Sequence, residues 1–290
     1  MGRRKPSIDL LGENGSLMRR TIFVVLALVS LSACDSGDPE PTADPTPTVS
    51  HSSTVAPATA APRPETELCY SFTYDDAVAP TTDVEASSCK KEHTAVTFYV
   101  GTVDAVIDGH LFAVDSEQVR ADIAAQCPRR LGRYLGGSEE DLRLSMFRAV
   151  WFSPTIEESD EGQDWYRCDA IVLAGDEELA PVGRRLEGAL DEEGSTDRYG
   201  MCGTADPEDA EFQRVICSAD HSWRAIATVD AKGKNYPGGG ELRSAGSAAC
   251  EDPARALAPD PLTVTWSYEP PTRKQWNAGQ HYGICWVPTS

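Results

Sequence analysis

Gly162-Gln163-Asp164-Trp165-Tyr166-Arg167-Cys168 and Gly279-Gln280-His281-Tyr282-Gly283-Ile284-Cys285 carry the same pattern: Gly-Gln, then an aromatic residue, then cysteine, at matching offsets. Upstream of each stands a second matched pair. Cys89-Lys-Lys-Glu-His93 leads into Thr94-Ala-Val-Thr-Phe-Tyr-Val100, and Cys217-Ser-Ala-Asp-His221 leads into Ser222-Trp-Arg-Ala-Ile-Ala-Thr-Val229. Between these landmarks each stretch holds one further cysteine, then tryptophan and proline: Cys127, Trp151 and Pro154, against Cys250, Trp266, Pro270 and Pro271. Recurrence of this kind marks an internal repeat. The expected organisation is two diverged copies of one domain, over residues 67–198 and 199–290.

Each copy reads as α+β, an antiparallel sheet with one helix. In the first, strands are expected after His93, across 144–152 and across 165–173. A helix is expected from Ser116 to Leu135, where Val119, Ile123 and Cys127 share one face at helical spacing. Ser116 suits the N-cap and Gly136-Gly137 the stop. The second copy has a weaker helix, interrupted by Gly246 and Pro253.

The chain has nine cysteines. One of them, Cys34, follows Leu31-Ser32-Ala33, with the apolar run Ile22–Leu31 and Met18-Arg19-Arg20 before it. A charged start, a short apolar stretch and small residues before a cut describe a secretory signal peptide. The run is shorter than the roughly twenty apolar residues that span a bilayer. Residues 1–33 therefore read as a signal peptide with its start at Met18. Cys34 directly after the cut fits a lipoprotein signal, whose cysteine takes palmitate-type acyl chains; an ordinary secreted protein with a chance cysteine is the alternative. Residues 34–66, dense in Pro, Thr, Ser and Ala, cannot bury enough apolar surface to offset ordering entropy and read as a tether on the order of 100 Å long. The expected location is the outer face of the cell membrane, with the acyl anchor as the contact to lipid.

Eight cysteines remain for a compartment that permits disulfides: Cys69, Cys89, Cys127 and Cys168, then Cys202, Cys217, Cys250 and Cys285. Four cysteines per copy allow three pairings. First-with-second and third-with-fourth closes short loops and clamps each helix onto its last strand; the other two pairings stay open.

At these positions the chain resembles the septum formation domain of actinobacterial envelope proteins. That family's pattern is a leading cysteine, Cys-x-x-x-His before a strand, then Pro and Trp ahead of a closing Gly-x-x-x-x-x-Cys. Here it runs through Cys69, Cys89, His93, Pro154 and Gly162 to Cys168, and again through Cys202, Cys217, His221, Pro270, Trp276, Gly279 and Cys285. The second copy keeps the tryptophan before glycine; the first has Asp160-Glu161 there. The resemblance implies a role in septum formation or the cell envelope and brings no agreed catalytic residues.

Chemistry is sparse. A net charge of −20 excludes nucleic acid as a partner, because phosphate binding needs a basic face. Cys-x-x-x-His invites zinc, but oxidation outside the cell removes the thiolates, so no metal and no cofactor are expected. His93 and His221 are read as local hydrogen-bonding residues, with Glu92 and Asp220 placed to hold the rings. The sequence contains no Gly-x-Ser-x-Gly, Ser-x-x-Lys or His-Glu-x-x-His. The expectation is a non-catalytic binding or adaptor module for an envelope protein, a division protein or a cell-wall component. A carboxylate-dependent envelope hydrolase is the alternative. Trp276, Gln280, His281 and Tyr282 are the candidate recognition residues, since binding sites favour loops and aromatic anchors.

Overall fold

The computed structural model describes residues 62–183 and 185–289. Cys34, the signal stretch and most of the tether lie outside the described residues. The described part is α+β, with four disulfides and two five-stranded antiparallel sheets.

The first half runs β1 (Cys69–Tyr70), α1 (Tyr74–Val78), β2 (Ala95–Thr102), β3 (Val106–Ile107), β4 (His110–Leu111), α2 (Glu117–Leu135), α3 (Glu139–Arg143), β5 (Phe147–Phe152), α4 (Ile156–Asp160), β6 (Trp165–Gly175) and β7 (Glu178–Leu179). Its sheet has the order β1-β2-β6-β5, with β7 added to β6. The second half runs α5 (Ser195–Tyr199), β8 (Met201–Gly203), β9 (Arg214–Ile216), β10 (Trp223–Asp230), α6 (Gly239–Gly246), a 3-10 turn (Ser247–Cys250), α7 (Glu251–Leu257), β11 (Ser267–Glu269), α8 (Arg273–Asn277) and β12 (Tyr282–Pro288). Its sheet has the order β9-β8-β10-β12-β11.

The central strand pairs share their irregularity. Register shifts between Thr97 and Tyr99 where β2 meets β6, and between Ala225 and Ala227 where β10 meets β12. On the far side of each bulge, Tyr99 faces Cys168 and Ala227 faces Cys285. The edge strands follow suit, with Trp151 opposite Cys168 and Tyr268 opposite Cys285.

Helix α2 forms for the reasons its sequence suggests. Ser116 caps it by accepting from the Val119 N–H, and Val119, Ile123, Cys127, Leu131 and Leu135 make one buried stripe. Gly136, at φ 72°, ends it in a conformation that costs a glycine little. Pro128 lies inside without breaking it, next to the Cys127–Cys168 bridge that holds this turn on β6. The second half has no such continuous helix. Gly246 closes α6, a 3-10 turn carries Cys250, and Pro253 sits in the first turn of α7, where a missing N–H costs little. The remaining bridges are Cys69–Cys89, Cys202–Cys217 and Cys250–Cys285.

The halves share a core. One buried apolar cluster takes in Val119, Ile123 and Leu131 of α2 together with Met201, Ile216, Ile284 and Trp286. At the seam the Met146 N–H donates to the Tyr199 carbonyl at 2.8 Å, and the Met201 N–H to Leu144 at 2.7 Å. Helix α3 reinforces it: the Glu140 carboxylate accepts from the Thr228 N–H at 2.8 Å, and Arg143 pairs with Asp230 at 2.8 Å.

Candidate functional site

The Gly-Gln segments are helix-to-strand turns. Thr155 and Thr272 each open a five-residue helix, α4 and α8, with a complete capping box. Such a box satisfies two orphan donors reciprocally. Each helix then closes on a glycine with nearly the same backbone, Gly162 at φ 96° and Gly279 at φ 95°. The Gln163 N–H reaches back to the Glu158 carbonyl, and the Gln280 N–H to Gln275, at 3.0 and 2.9 Å. The motif aims the strand that carries the closing cysteine.

What sits on the turn differs between halves. Trp276, on α8, is 4 % exposed, so it is a buried floor rather than a free anchor. His281, which is exposed, stacks on it at 4.3 Å between ring centroids, and its Nε2 donates to the Trp276 carbonyl at 3.1 Å. Tyr236 meets the same indole edge-on at 5.9 Å, and the Arg273 guanidinium lies 4.7 Å over the Tyr236 ring. Gln280 points inward, its amide donating to the Tyr282 carbonyl at 3.2 Å. Tyr282 belongs to the seam, covered by Arg143 at 4.3 Å. Of the four residues singled out from sequence, Trp276 is buried, Gln280 and Tyr282 are half-buried and His281 is exposed. Arg273 and Tyr236 join it without any motif to mark them; an aromatic in the loop before the Gly238-Gly239-Gly240 run was the only available signal. The equivalent turn in the first half has Ser159 and Asp164 in place of Trp276 and His281.

Both histidines of the Cys-x-x-x-His motifs make the same local bond. The Nδ1 of His93 lies 2.8 Å from the Lys91 carbonyl, and that of His221 lies 2.8 Å from the Ala219 carbonyl. The carbonyl two residues back, rather than Glu92 or Asp220, holds each ring. Among the described residues, no group of three or more His, Cys, Asp or Glu is placed to hold a metal ion.

The family model described as septum formation matches residues 80–285, well over half of the chain. The chain belongs to the septum formation family. That match spans both halves and takes in both Cys-x-x-x-His motifs and both Gly-Gln turns. Neither the curated proteins nor the solved structures provide a match to this septum formation protein. The family's description links it to cell division.

One further group in this septum formation protein has the burial expected of chemistry. Asp169 is fully buried, 3.1 Å from Arg167, and accepts from the Thr97 hydroxyl at 2.6 Å. Burial pushes its carboxyl pKa up to about 6 against the opposing pull of Arg167 and Thr97. Arg167 is roofed by aromatic rings, 3.9 Å from the Tyr70 centroid and 4.8 Å from Phe152. The pair is closed off from solvent by its own neighbours, which makes it an element of the core rather than of a cleft.

Proposed function

We propose that the chain is a non-catalytic, lipid-anchored module of the cell envelope, built from two diverged copies of one fold, that captures an envelope or division partner through the closing turn of its second half. The observation that carries this reading is the Arg273–Tyr236–Trp276–His281 stack. Trp276 and His281 sit on the capped helix and its closing turn, and Tyr236 reaches them from the loop after β10, an arrangement that holds ring faces in place and so lowers the ordering cost of recognition. Matched strand orders, bulges and capping boxes support the two-copy reading. The lipoprotein-like stretch before Cys34 supports the anchor. Among the described residues no helix is long and apolar enough to cross a membrane, so attachment in this reading falls to Cys34. The only buried carboxylate among the described residues, Asp169, is committed to Arg167 and Thr97.

The test places a photo-crosslinking residue at position 281 and, in a second strain, at position 164 of the first half. Crosslinked product from 281 and none from 164 supports the reading; equal capture at both, or none at either, sinks it. His281→Ala and Arg273→Ala are the variants to use, because Trp276→Ala removes a buried indole and costs about 3–5 kcal/mol of stability. Growth with labelled palmitate checks the anchor: Cys34→Ser should abolish incorporation.

A further inference from the structure

A cavity of about 380 Å³ opens in the second half between α6, the end of β10 and β11. Its size falls at the small end of the roughly 300–1,000 Å³ range of ligand pockets. Val229, Pro237, Leu242 and Gly246 supply an apolar lining. Tyr268 lines it as well and is 4 % exposed. The hydroxyl end of its ring is wedged between Gly246 and Gly283, where a Cβ on either glycine would overlap it. That hydroxyl has no hydrogen-bond partner among the described residues. Burial raises its pKa, so the group stays protonated and able to donate. The hydroxyl is not among the buried polar atoms left without a partner, so water reaches it, and a bound acceptor would take the place of that water.

The charges at the mouth narrow the choice of ligand. Lys232 and Glu241 both line the cavity, both are exposed, and neither has an ion-pair partner among the described residues, the other included. Asp230 also lines it but is engaged by Arg143. One cation and one anion, unpaired across an apolar pocket with a hydroxyl donor in its wall, complement a compact molecule carrying both signs. The corresponding place in the first half is different. There Trp151, which faces Cys168 as Tyr268 faces Cys285, is covered by Arg120 at 5.6 Å and borders a more open depression.

We infer that the cavity between α6 and β11 binds a small zwitterion, an amino acid or dipeptide, with its carboxylate on Lys232, its ammonium on Glu241 and a polar atom on the Tyr268 hydroxyl. This does not rest on the Trp276 turn and survives if that turn captures nothing. The experiment follows amide resonances of the full folded region during titration with alanyl-alanine, its N-acetyl amide, and N-acetylglucosamine. The expected result is saturable shifts at residues 229–232 and 241–246 with alanyl-alanine at millimolar concentrations and with neither neutral probe. Tyr268→Phe, which keeps the ring and hence the packing, should weaken binding by about three- to tenfold, and Lys232→Ala or Glu241→Gln by about tenfold. Absence of shifts in the wild type, equal binding of a neutral probe, or full affinity in Tyr268→Phe with unchanged melting temperature each overturns the inference.

Discussion

The two halves place the same strands in the same order yet finish the sheet face away from the helix in opposite ways. In the first half β6 turns Arg167 and Asp169 to that face, with Thr97 beside them on β2. The equivalent places on β12 and β10 hold Ile284, Trp286 and Ala225, all buried. The first face is closed by aromatics from the start of the domain, Tyr70 and Phe72 with Phe152. The second joins the main core, where Phe212 meets Trp286 edge-on at 5.2 Å. An ion pair is thus one solution for filling this layer and an indole is another, and the scaffold does not require either. A buried pair held by cation–π contacts fits where rings are at hand to cover the guanidinium; plain apolar filling fits where the layer faces another core.

Converting one face into the other has the largest expected effect. Arg167→Ile alone leaves the Asp169 carboxylate buried without its cation and should cost about 3–5 kcal/mol in urea unfolding. Arg167→Ile with Asp169→Leu should recover most of that loss; a double variant as unstable as the single one would mean the polar pair is required. Next in size come the staples. Removing Cys250 and Cys285 together should cost about 2–5 kcal/mol, as should removing Cys127 and Cys168. Hydrogen exchange should separate them, with residues 239–257 losing protection while the continuous α2 keeps much of its own.

A smaller effect comes from pH. The carboxyl of Asp169 titrates near 6 in the folded chain and near its ordinary value when unfolded. Folding therefore takes up a proton between those values, and this group's contribution to stability falls as pH rises from about 4 through about 6. Urea midpoints measured across that window should show the decline, and Asp169→Asn should remove this part of the slope. The second half, with Trp286 at the same place, contributes nothing comparable. Smallest are Gly162→Ala and Gly279→Ala, each expected to cost about 1 kcal/mol because both sites sit at positive φ. A large difference between them would mean the two turns are not equivalent.

Much of the scaffold could be read locally. Ser116, the stripe Val119–Ile123–Cys127 and Gly136 mark α2 because caps and periodicity act within a few residues. The strands after His93 and from Trp165 follow from β-branched and aromatic content in the same way. The candidate site was less legible. Trp276 reads as an anchor in a loop, but the five-residue α8 rolls it inward and leaves His281 on top. Arg273 and Tyr236 lie about forty positions apart in the chain, and no spacing rule links them.

The two sets of four cysteines, the strands leading to them and the long helix of the first half could be read from the chain alone. Those features depend on neighbours within about one turn or one strand. Only the tertiary structure decided which aromatic is covered, that Arg167 and Asp169 meet inside the core, and that Leu144–Met146 joins Tyr199–Met201 across the seam. Each of those outcomes depends on surfaces that come together only when the two sheets pack, and burial is a property of that packing rather than of any residue alone.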